Sequence, residues 1–90
     1  MVIDNSARRR FELALEGGAV AFIDYYSRAD GVLMLTHAEV PAALRGARIG
    51  AQLTAGTLEL LRARGQKMVP VCPYVARFVQ RQPQYADLVA

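Results

Sequence analysis

Along "RRRFELALEGG", Phe11, Leu13 and Leu15 alternate with Glu12, Ala14 and Glu16. That two-residue period predicts a half-buried strand, with Gly17-Gly18 turning the chain after it. "AVAFIDYYSR" is rich in β-branched and aromatic residues and reads as a second strand. Asp30-Gly31 signals a hairpin. "VLMLTHAEV" follows as a third, nearly uncharged strand, which suits a central place in a sheet. Pro41 has no N–H to give to a ladder and should end the pairing.

From Ile49 the period changes. Ile49, Leu53, Thr57, Leu60, Leu61 and Arg64 recur at helical spacing, and Gly65 is placed to stop the helix. Gly56, inside that run, marks close packing against the sheet. "KMVPVC" is a short apolar run suited to a buried strand. "PYVARFVQRQ" then opens on Pro73, the residue best tolerated at a first helical position, and Pro83 closes it. The pattern predicts an α+β fold: an antiparallel three-strand meander followed by α-β-α, in the order β-β-β-α-β-α.

Ninety residues allow one domain, spanning 1–90, with a thin core. Hydrophobic residues make up 53% and charged residues 21%, a globular balance. No apolar run approaches a membrane span, and "MVIDNSARRRFEL" lacks the apolar centre of a secretion signal. A cytoplasmic location with no membrane partner is expected. One cysteine and one histidine make neither a disulfide nor a zinc site, so no metal is expected. The net charge is +3, and Lys67 is the only lysine among 11 basic residues. That arginine bias suits bidentate contacts with phosphate or carboxylate, and also arises in GC-rich genomes.

The chemistry concentrates where the third strand hands over to the first helix, in "EVPAALRGARIGAQL". Free N–H groups at a helix start, beside guanidinium charge, suit an anion. A tight turn with arginines in solvent is the plainer reading of the same residues. Cys72 stands at the carboxyl end of a strand, beside a helix start, or is simply a small buried hydrophobe. His37 and Glu39 share one strand face and are candidates for a general base, although a structural histidine is commoner. Arg77 and Arg81, one turn apart, read as a solvated face, the alternative being that they steer a ligand's phosphates.

The element order, with "LTHAEVPAALRGARIGAQL" followed by "VPVCPYVARFVQRQPQYADLV", resembles the small stand-alone GNAT-type N-acetyltransferases. The resemblance runs from Phe11 to Val89. It implies transfer of an acetyl group from acetyl-CoA to a primary amine on a small molecule or a protein lysine. Coenzyme A would lie with its pyrophosphate on the loop that the family writes R/Q-x-x-G-x-G/A. Arg45 matches the first position and Gly50 the last, while Arg48 replaces the middle glycine. Gly46, Ala47, Ile49 and Ala51 complete the cradle. Val40 matches the strand end that pairs with the pantetheine arm. Pro73 and Tyr74 border the cofactor, and Cys72 matches a cysteine near the acyl group. The competing functions are a CoA- or acyl-CoA-binding module without turnover and a small basic RNA-binding protein. The latter lacks the aromatic motif of ribonucleoprotein sheets, so a nucleic-acid partner is not expected. Exposed apolar strands in so small a domain are compatible with a homodimer.

Overall fold

The computed structural model describes residues 1–46 and 48–90. Five strands form one sheet in sequence order: β1 (Val2–Asn5), β2 (Arg10–Ala14), β3 (Val20–Ser27), β4 (Leu33–Glu39) and β5 (Met68–Pro70). The first three pairings are antiparallel and β4–β5 is parallel. A parallel return needs a crossover, and α1 (Ile49–Arg64) supplies it. A second helix, α2 (Pro73–Arg81), follows β5. The C-terminal segment returns to β5, where Ala90 donates its N–H to the Met68 carbonyl at 2.8 Å.

The expected meander has one strand more than the sequence pattern predicts. "VIDN" is four residues with two apolar positions, too short to carry a period. Tertiary contacts make it a strand. Val2 is buried against α1. Asp4 accepts a hydrogen bond from the Tyr25 hydroxyl at 2.7 Å and pairs with Arg64 of α1 at 2.8 Å. Burial, and then the bond to Asp4, push the Tyr25 phenol up to about 12, so it stays a donor at neutral pH. One carboxylate thus ties the first strand to the third and to the helix.

The period-2 residues Phe11 and Leu13 meet Ala21, Ile23, Leu33 and Leu35 on one face of the sheet. Leu53, Leu58 and Leu61 of α1 and Val75 of α2 cover that face. Two threonines, Thr54 and Thr57, are also fully buried in α1. Their hydroxyls donate to the carbonyls of Gly50 and Leu53, both at 2.8 Å, so neither is left unpaired. Gly65 ends α1 in the left-handed conformation at φ 64°, as expected of a C-terminal glycine.

Gly56 does what its position in the pattern suggested. A methyl group there would run into the Val2 side chain. Gly56→Ala should therefore destabilise the domain by about 1–3 kcal/mol, despite alanine's better helix propensity, as read by denaturant unfolding. Adding Val2→Ala should recover part of the loss.

Candidate functional site

The strands β4 and β5 part early. Their register covers only Leu33–Met68, Met34–Val69 and Leu35–Pro70. A last link follows, from the Cys72 N–H to the Leu35 carbonyl at 2.8 Å. β4 continues to Glu39 with β3 alone recorded beside it. A fork opens between the parallel strands, and backbone along the far half of β4 is left without a β5 partner among the described residues.

A bulge decides which side chains look into this fork. Tyr25 lies opposite Leu35 and Asp24 opposite His37, so Thr36 is an extra residue. Such an insertion shifts the alternation of faces. Past it, Ala38 and Val40 pack against the core on the helix side. His37 and Glu39 take the other face, where both are more than half exposed and His37 Nε2 lies 3.2 Å from Glu39 Oε1.

Pro41 starts the connection to α1, and a 3-10 turn spans Ala42–Leu44. Gly46 then takes φ 91°, a conformation that glycine adopts without steric cost. Arg48 precedes α1 at φ 64°, which an arginine adopts only under strain. A glycine at this position would adopt the left-handed conformation without that strain. Ala47 lies outside the described residues.

The first turn of α1 carries no acidic residue and no side-chain cap. Its leading N–H groups have no intrahelical partner and form the positive end of the helix dipole. They open onto a groove of about 510 Å³. Ala38 and Val40 form its strand side, and Arg45, Gly46 and Arg48 the loop. Ile49, Gly50, Ala51 and Leu53 form the helix side, and Tyr74 reaches across from α2. Arg45 Nε donates to the Val40 carbonyl at 3.2 Å, tying the loop to the strand end. An added Cβ at Gly50 would lie 2.5 Å from the Tyr74 hydroxyl, so the glycine also makes room for this tyrosine.

The structure therefore gathers Val40, the described residues of the Arg45–Ala51 loop and Tyr74 around one hollow. Sequence reasoning missed Ala38 and Leu53. Ala38 was accessible through its two-residue spacing from Val40, and Leu53 through its turn-spacing from Ile49. Pro73 occupies the first position of α2 but does not line the groove. Cys72 caps α2, is 6% exposed and belongs to the core cluster; it too is outside the lining. His37 and Glu39 lie on the opposite sheet face and do not line the groove, so a general-base role for either would have to run through water. No group of three or more metal-ligating side chains occurs among the described residues. None of their helices is long and apolar enough to cross a membrane.

A family model described as GCN5-related N-acetyl-transferase matches residues 10–88 of the chain. The match takes in the sheet from β2 onward, the fork, the loop and both helices.

Proposed function

Because this chain belongs to the GCN5-related N-acetyl-transferases, we propose that it moves an acetyl group from acetyl-CoA to a primary amine. The observation that carries the reading is the uncapped positive end of α1 opening into the groove beside the strand fork. The pyrophosphate takes the N–H groups of Ile49, Gly50 and Ala51, with Arg48 adding charge. The pantetheine arm enters the fork alongside Ala38 and Val40, where the backbone has no β5 partner among the described residues. The thioester then points toward the apex of the fork, near Leu35 and Cys72. An amine attacks the thioester carbon, a backbone N–H holds the oxyanion, and the CoA thiolate leaves with a proton.

With His37 and Glu39 facing away, the amine's proton passes to water or arrives already lost. A second reading, a module that binds CoA without turnover, is favoured by one observation. None of the three candidate catalytic side chains lines the groove. Family membership lends no weight to the RNA-binding alternative. Mass spectrometry of natively purified protein should reveal co-bound CoA or acetyl-CoA. Adding amines to the acetyl-CoA-loaded protein should release free CoA if it is an enzyme. Binding without amine-dependent release would select the module, and no binding would overturn both.

Arg48 gives a sharper expectation. Arg48→Gly removes the strained left-handed arginine and should stabilise the fold by up to about 1 kcal/mol. The same change removes a cation from the loop, so CoA affinity should fall, and the loss should shrink at high salt. Thermal unfolding and calorimetry at two salt concentrations measure the two effects. Tighter CoA binding by the glycine variant would identify the arginine as an obstruction.

A further inference from the structure

Beside the groove lies a second hollow of about 390 Å³, and the two share Ala51 and Tyr74 as a common wall. The second is lined further by Arg77, Phe78, Arg81 and Gln82 of α2 and its end. Arg77 and Arg81 are four residues apart on a helix, hence neighbours on one face. Helix α2 contains no acidic residue to offset them. Four arginines elsewhere are matched: Arg10 pairs with Glu12, Arg28 with Asp30, Arg62 with Asp87 and Arg64 with Asp4; among the described residues Arg8 and Arg9, which line neither hollow, are not. Among the described residues, Arg77 and Arg81 have no carboxylate partner, and neither do Arg45 and Arg48 of the adjoining groove.

Two like charges at this spacing repel unless an anion sits between them. The hollow also offers the Phe78 ring and the Gln82 amide, groups that suit the edge of a base or sugar. A ligand spanning both hollows would carry one phosphate group at the α1 start and another, chemically separate, at α2. Resting on the reading that the groove holds CoA, we infer that Arg77 and Arg81 bind the phosphate on the ribose of its nucleotide end. The protein thereby distinguishes CoA from dephospho-CoA, which lacks only that group. Two forked guanidiniums on one phosphate supply charge-assisted hydrogen bonds in a geometry that a single lysine could not.

Calorimetry with CoA and dephospho-CoA tests this. The unmutated protein should bind CoA at least about tenfold more tightly, the return expected from a charge-assisted hydrogen bond. The preference should contract as salt is raised. Arg77→Ala/Arg81→Ala should lose the preference and bind both ligands as the unmutated protein binds dephospho-CoA. Arg8→Ala/Arg9→Ala, which removes the same net charge outside both hollows, should keep it. As a check needing no variant, AMP should compete less well than its analogue phosphorylated also on the ribose 3′-hydroxyl. Equal binding of CoA and dephospho-CoA by the unmutated protein would overturn this inference while leaving the donor reading intact. So would a preference that survives in the Arg77/Arg81 double variant. Failure of both ligands to bind would overturn this inference and the donor reading together.

Discussion

Gly50→Glu is expected to lower CoA affinity by at least about 100-fold while leaving the fold as stable as before, or more so. Gly50 is the second residue of α1 and lines the groove. A glutamate there puts a carboxylate at the positive end of the helix, where it takes the place of the ligand's phosphate and repels it. For the helix itself the same carboxylate is favourable, by about 0.3–1 kcal/mol. The new Cβ does press on the Tyr74 hydroxyl. Tyr74 is 39% exposed, so it can swing outward instead of forcing the backbone apart. The opposite signs of the two effects make the experiment informative. Lost affinity together with retained thermal stability assigns the anion site to the α1 start. Gly50→Ala in a Tyr74→Ala background isolates the steric part and should bind CoA better than Gly50→Ala alone. Unchanged CoA affinity of the glutamate variant by calorimetry would rule the site out.

The second large effect concerns Cys72. Its backbone forms the last link between β4 and β5, so the residue stands at the apex of the fork into which the thioester points. Two duties are chemically open there. A nucleophile would take the acetyl group onto sulfur and pass it to the amine, giving ping-pong kinetics. A general acid would protonate the departing CoA sulfur while the amine attacks directly, giving a ternary complex. A side chain 6% exposed and packed among apolar neighbours is poorly placed for open attack on a thioester. We therefore expect the acid role. Such assistance is worth about 10²–10⁴-fold in rate. Cys72→Ala should slow turnover by about 100-fold or more, and Cys72→Ser, which keeps a weak proton donor, should be partly active. Both substitutions touch the core, so unfolding must be measured beside activity. The serine hydroxyl needs a hydrogen-bond partner there or costs about 1–3 kcal/mol. An acetyl group trapped on Cys72 without amine, and released on adding one, would replace the acid by the nucleophile. Full activity of both variants would reduce the cysteine to packing.

Much of this arrangement was legible in the chain because its signals are local. The alternation at Phe11–Leu15 and the change of period at Ile49 determine strand and helix by what each repeat can bury. Pro41, Gly65 and Pro73 act through their own backbones, and each marks an element end as its chemistry requires. Gly46 announced a tight turn for the same reason, whereas Gly50 lies within α1 and makes room for Tyr74. β1 escaped because four residues with two apolar positions hold no period; its strand state comes from Gly56, Tyr25 and Arg64, all distant in sequence. Facing was likewise decided in three dimensions. His37 and Glu39 sit correctly side by side on one strand. Yet the one-residue bulge at Thr36, created by pairing with β3, sends them to the open face and turns Ala38 and Val40 into the groove. The depth of Cys72 depends on where β5 and α2 dock. The positive φ of Arg48 depends on how the loop meets α1. Sequence patterns record what each segment prefers alone, whereas pairing register and docking depend on partners many residues away.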